Sequence, residues 1–84
     1  HGMDGMRCDS QGNLYIARYG KGVVAIVSSK GKLIREVKLI GEKPTNIAFG
    51  GPDGKTVYVT MQDKGNVEYF RTDTAGEEWV RMHE

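Results

Sequence analysis

The sequence predicts an all-β protein built from about two four-stranded antiparallel blades of a β-propeller, on three observations. Short runs rich in β-branched and aromatic residues recur along the chain, glycine-centred turn signals separate them, and the second half repeats the first. Leu14-Tyr15-Ile16-Ala17, Val23 to Val27 and Thr56 to Thr60 are too short for independent helices and have strand composition. Twelve glycines in 84 residues, against few long amphipathic stretches, favour tight connections over helices.

The turns follow in order. Ser10 to Asn13, Gly20 to Gly22, Ser28 to Gly31, Pro52 to Lys55 and Asp63 to Asn66 each hold the Gly, Asn or Asp that hairpin geometry needs. Sliding the chain on itself by 41 to 45 positions brings Met6-Arg7-Cys8 onto Ile47-Ala48-Phe49 and Leu14 to Ala17 onto Val57 to Thr60. Val24 and Ile26 fall on Val67 and Tyr69, and Gly31 to Val37 falls on Gly76 to Met82. A period of about 40–45 residues holding four strands is the signature of a propeller blade. The blades are expected at about residues 4–41 and 44–82, with Glu77 to Met82 as the outermost strand of the second and Trp79 packed on that blade. Closed propellers need about four to eight blades, so two leave apolar faces uncovered.

Composition excludes several function classes. The 12 basic and 11 acidic side chains nearly cancel and are scattered, so no basic stripe faces nucleic acid or an anionic membrane. The longest apolar run, Val23 to Val27, is far below the ~20 residues that span a bilayer. Cys8 stands alone, which rules out an internal disulfide and fits a reducing, cytoplasmic compartment.

The candidate motifs divide sharply. Gly50 to Thr56 imitates a phosphate-binding loop, but Phe49 occupies the first glycine position and a strand, not a helix, follows Thr56. A turn is the better reading. Cys8 is matched by Phe49 in the repeat and reads as small core packing, with His1 and His83 at opposite ends and solvated. Asp9 to Asn13 lacks the distal glutamate of a calcium loop and reads as an Asx-type turn. Asp4-Gly5-Met6 opens the first strand of a blade, where innermost strands face the central channel. Asp4 is therefore either a turn residue or a carboxylate projecting into a shared site, with Gly5 letting the backbone pass close by.

Asp4-Gly5-Met6, Gly12 to Ala17, Pro44-Thr45-Asn46 with Phe49-Gly50-Gly51, and Gly65 to Glu68, in this order and spacing, resemble the C-terminal third of the gluconolactonase, regucalcin and luciferin-regenerating enzyme family. The resemblance implies a six-bladed propeller whose channel mouth holds one divalent cation, calcium, zinc, magnesium or manganese, on a glutamate, an asparagine and an aspartate. The aspartate belongs to the Asp-Gly-Met/Leu motif and so falls on Asp4, which the resemblance casts as metal ligand and catalytic base. Thr45 or Asn46 would begin a second channel-facing strand. The implied chemistry is hydrolysis of sugar lactones or related esters: the cation polarises the lactone carbonyl while a carboxylate takes a proton from water. The glutamate and asparagine belong to earlier blades, so the chain alone is expected to be inactive. The alternative is a noncatalytic repeat module for self-association or protein binding. Either way the uncovered faces favour self-association, and three two-blade chains would supply six blades.

Overall fold

The computed structural model describes residues 5–83. Its strands are β1 (Met6–Cys8), β2 (Leu14–Arg18), β3 (Val23–Val27), β4 (Leu33–Lys38), β5 (Pro44–Gly50), β6 (Thr56–Met61) and β7 (Asn66–Arg71), followed by one short helix, α1 (Glu77–Met82). They form an antiparallel sheet in the order β1-β2-β3-β4 and a second in the order β5-β6-β7. These are propeller blades, as the repeat predicts.

The internal repeat holds at the level of strand register. Met6 pairs with Ile16 as Ile47 pairs with Val59, and Cys8 pairs with Leu14 as Phe49 pairs with Val57. Tyr15 pairs with Ile26 as Tyr58 does with Tyr69, and Ala17 with Val24 as Thr60 does with Val67. Because side chains alternate across a strand, a one-residue slip would have reversed every one of these faces.

The core lies between the blades. Tyr15, Ala17, Val24 and Ile26 of the first meet Ile47, Val57, Val59 and Met61 of the second, with Leu39 of the connection closing one side. Burying an aliphatic side chain of this kind stabilises by roughly 1.5–3 kcal/mol. The Tyr15 and Phe49 rings meet edge to face with centroids 4.9 Å apart, a geometry that suits their quadrupoles. The connection between blades is clamped by acids of the second: the Glu68 carboxylate accepts the N–H groups of Ile40 and Gly41, both at 2.8 Å, and Asp63 accepts that of Glu42 at 2.9 Å.

Two expectations need correction. The segment Glu77 to Met82 is a helix, not the fourth strand of the second blade, so the register that aligned it with Gly31 to Val37 ends at β7. Its charges suit a helix: Glu77 and Glu78 occupy the first turn and Arg81 the last, matching the macrodipole, and Glu77 and Arg81 pair at 3.4 Å. The approach to it is tied down across the base of both sheets. Ser10 N–H donates to the Ala75 carbonyl at 2.8 Å, Gly76 N–H to that of Gly54 at 3.2 Å, and Asp9 bridges Gly76. Trp79 thus packs beside Gly54 at the β5–β6 turn rather than on an outer strand. Gly54 has φ +73° and any Cβ there would strike the indole, so glycine is required on both counts. Cys8, expected in the core, is exposed. Its side of β1 faces away from the second blade, whereas the matching side of β5 faces inward.

Candidate functional site: the converging strand starts

Asp4 lies outside the described residues; its neighbour Gly5 does not. Gly5 is buried, its carbonyl accepts the Ala17 N–H at 2.8 Å, and a Cβ there would lie 2.7 Å from the Thr45 carbonyl oxygen and 2.8 Å from the Ala17 Cβ. Only a glycine allows this approach, so the starts of β1 and β5 converge and the entry to β1 lies beside Thr45.

At that junction β5 is irregular. Pairing steps from Pro44 opposite Met61 to Asn46 opposite Thr60, which leaves Thr45 as the extra residue of a bulge. Bulges re-aim side chains at the ends of strands. The Thr60 hydroxyl holds this one, lying 2.9 Å from the Thr45 hydroxyl and accepting the Asn46 N–H at 3.1 Å. Asn46 itself is exposed. Thr60 was missed by sequence reasoning, since a threonine on a strand of β-branched residues carries no signal until the opposing strand is known.

Charged groups elsewhere serve the turns. The Asp9 carboxylate, buried at the β1–β2 turn, accepts the N–H groups of Gln11 and Asn13 and the Asn13 side-chain amide, all at 2.9 Å. This is the Asx-type turn expected from sequence. Asp53 receives Arg71 through Nη1 at 3.1 Å and Nη2 at 2.6 Å, and also the Lys55 N–H at 3.0 Å. Arg71 first, then that amide, lowers its pKa to about 2. The segment once compared with a phosphate loop is therefore a braced hairpin turn. Burial pushes the Tyr15 phenol up, partly offset by its 2.6 Å hydrogen bond with Thr72.

Two hollows lie near the base. One of about 190 Å³ is lined by Cys8, Phe49, Trp79 and His83 among others. His83 stacks on Trp79 with centroids 3.9 Å apart and is tied to its carbonyl through Nδ1 at 2.8 Å. The other, about 400 Å³, is an open groove between blades bordered by Asp9, Tyr15, Arg35 and Thr72. Among the described residues no three His, Cys, Asp or Glu side chains gather as a metal-binding set. No described helix is long and apolar enough to cross a membrane.

Two antiparallel sheets with a shared register and a glycine-enforced convergence of the starts of β1 and β5 define the class as that of β-propellers. The chain belongs to the SMP-30/Gluconolactonase/LRE-like family, whose characteristic region matches residues 1–63. It is 47% identical to regucalcin of Xenopus laevis over 69 residues, covering 81% of this chain and 23% of that protein. Against the pentonolactonase XacC of Haloferax volcanii it is 40% identical over 57 residues, 68% of this chain and 20% of the relative. The crystal structure of a calcium-binding protein, regucalcin, from Agrobacterium tumefaciens is similar with a TM-score of 0.76 and 29% identity, over 88% of this chain and 30% of that one. The chain thus spans less than a third of the length of these relatives.

Proposed function

We propose that this chain is the C-terminal part of a gluconolactonase-like, metal-dependent hydrolase of sugar lactones or related esters, acting in the cytoplasm, and that the 84 residues alone are inactive. The observation that carries this reading is the family match over residues 1–63, which includes the Asp4-Gly5-Met6 run and the whole of the bulged β5–β6 pair. The division into blades at about residues 4–41 and 44–82 belongs to the same proposal. In it Asp4 is a ligand of a divalent cation such as calcium, zinc, magnesium or manganese, and also the base that takes a proton from the attacking water. The cation, when bound, supplies polarisation of the lactone carbonyl.

The part this chain's own residues play is positional. Gly5 brings the entry of β1 against Thr45, and the Thr60 hydroxyl fixes the Thr45 bulge and the Asn46 backbone at the same end. Inactivity of the chain alone follows from ligand number: one carboxylate does not displace the hydration shell of an ion such as calcium, which takes about six to eight oxygen ligands.

The test is a chimera in which this chain replaces the matching stretch of the Haloferax volcanii pentonolactonase. Lactone hydrolysis that survives the exchange and is lost both with chelator and with Asp4→Asn is the expected result. A folded chimera that retains its rate with Asp4→Asn would overturn the role of Asp4. Steady gluconolactone hydrolysis by the 84-residue chain above the spontaneous rate would overturn its inactivity.

A further inference from the structure

The end of the sheets at which β1 and β5 start carries one more contact between the blades. β2 runs antiparallel to β1 and finishes at that end, where the Ala17 N–H meets the Gly5 carbonyl, and Tyr19 follows two residues later. β6 finishes there too, and Gln62 follows Met61, its N–H donating at 2.8 Å to the carbonyl of Lys43, two residues before the Thr45 bulge. The register that carries Ala17 onto Thr60 carries Tyr19 onto Gln62, so the two hold equivalent positions in the two blades. They meet: the Tyr19 hydroxyl donates to Gln62 Oε1 at 2.6 Å.

Tyr19 continues the side of blade one that blade two covers, the side of buried Ala17 and Tyr15, and its bond to Gln62 keeps it there. The 46% of Tyr19 that stays exposed therefore lies at the open end of a contact whose two halves are both present, not on a face that lacks its neighbour. The residue is held from two directions. The N–H of the next residue, Gly20, donates to the Glu42 carbonyl at 2.7 Å, and Gln62 fixes the hydroxyl. An aromatic ring ordered before a ligand arrives loses little rotamer freedom on binding, which removes one of the usual costs of recognition. Gln62 Oε1 is occupied by the phenol, and among the described residues nothing accepts from the two Nε2–H donors.

We propose that Tyr19 and Gln62 recognise the sugar ring of the lactone: the Tyr19 ring packs against its C–H face, and Gln62 Nε2 donates to one of its hydroxyl oxygens. The inference rests on the lactonase reading of Asp4, since the next residue, Gly5, stands at this same end of the sheets. Small-ligand sites combine apolar and aromatic surface with a few fixed polar groups. A sugar ring has polarised C–H bonds on its face, which suit the negative face of an aromatic ring, and hydroxyls around its edge, which suit a carboxamide. The pair takes no part in bond cleavage. It contributes binding that is the same in the ground and transition states, so its removal is expected in KM and not in kcat.

The test uses the chimera with the Haloferax volcanii pentonolactonase, a pentono-1,4-lactone, and γ-butyrolactone, the same ring without hydroxyl groups. Tyr19→Ala is expected to raise KM for the sugar lactone about tenfold with kcat within about twofold. Tyr19→Phe, which keeps the ring, should raise it no more than about threefold. Gln62→Leu should raise KM for the sugar lactone about threefold and leave that for γ-butyrolactone unchanged, a difference that a merely structural role does not produce. Binding of a 1,4-anhydropentitol, a ring with no carbonyl to cleave, followed by NMR titration of the chimera, reads the same pair without hydrolysis and should weaken about tenfold with Tyr19→Ala. A chimera that binds the anhydropentitol through Tyr19 but hydrolyses no lactone overturns the lactonase reading and leaves the sugar contact standing. No binding by the unsubstituted chimera overturns the contact, as do equal losses on both lactones with Gln62→Leu. So does a folded Tyr19→Ala variant with unchanged KM and anhydropentitol affinity. If circular dichroism shows Tyr19→Ala unfolded, the comparison of the two lactones with Gln62→Leu decides alone.

Discussion

Blade one and blade two share a strand register yet differ in which side is covered, and the difference shows how burial is assigned in repeat architectures. Tyr15 and Tyr58 occupy equivalent positions opposite Ile26 and Tyr69, but the first is 2% exposed and the second 39%. Ile47 is 1% exposed, while its counterpart Met6 is half-buried. A strand's alternation decides only which residues share a face. Which face becomes core depends on the side where the neighbouring blade stands. The blades also end differently, blade one with a fourth strand and blade two with a chain that leaves its sheet at Arg71 and forms α1 beneath both.

The largest expected effect breaks the equivalence directly. Ile47→Ala should lower unfolding free energy by about 2–5 kcal/mol, the usual range for emptying a well-packed aliphatic site, whereas Met6→Ala at the matching position should cost less than half as much. Urea titrations of both variants measure this. Equal losses would mean that both faces are covered in solution.

Gly54→Ala tests the difference in how the blades end. A Cβ at φ +73° that also meets the Trp79 indole should displace α1 and cost about 1–3 kcal/mol, as overpacking does. The readout is a red shift of the single tryptophan's emission while the strand signal in circular dichroism persists. An unshifted spectrum would show that the helix accommodates the methyl group.

Glu68→Ala sharpens the account of the connection between blades. It removes the acceptor for the Ile40 and Gly41 N–H groups and should cost about 1–3 kcal/mol if those amides lose their partner to burial, or less where water replaces it. Hydrogen exchange should rise at these two amides and remain slow at Val24 and Val59.

The smallest effect is a pH dependence confined to blade two. Arg71 holds the Asp53 carboxyl at about 2, below its ordinary 3.8, so this group contributes stability that is present above about pH 4 and lost as pH falls towards 2. Denaturation midpoints of the wild type and of Asp53→Asn should therefore differ most at neutral pH and converge in acid. The pair is exposed, so solvent screening keeps the difference small.

Much of this was legible in the sequence because its causes are local. The turns at Asp9 to Asn13 and Pro52 to Lys55 follow from aspartates that accept the N–H groups of residues two positions on, Gln11 and Lys55. Repeat and alternation together set seven strands in the right order. The fourth strand expected at Glu77 to Met82 failed for the converse reason. A six-residue stretch with glutamates at one end and an arginine at the other suits a helix turn as well as an edge strand, and contacts from Ser10, Gly54 and Asp9 made the choice.

At the candidate site the division runs the same way. The Asp-Gly-Met run marks a strand entry and a family, and a glycine beside a carboxylate hints at close backbone approach. That the approach is to Thr45, and that the Thr60 hydroxyl secures a bulge there, depends on residues 40 and 55 positions away from Gly5. Sequence by itself determined strand composition, turn chemistry and the period, all set by interactions within a few residues. Tertiary structure alone decided which of two equivalent faces is buried, where the chain goes after Arg71, and which strand starts meet. Each of those outcomes is an energy of packing between segments that no local pattern contains.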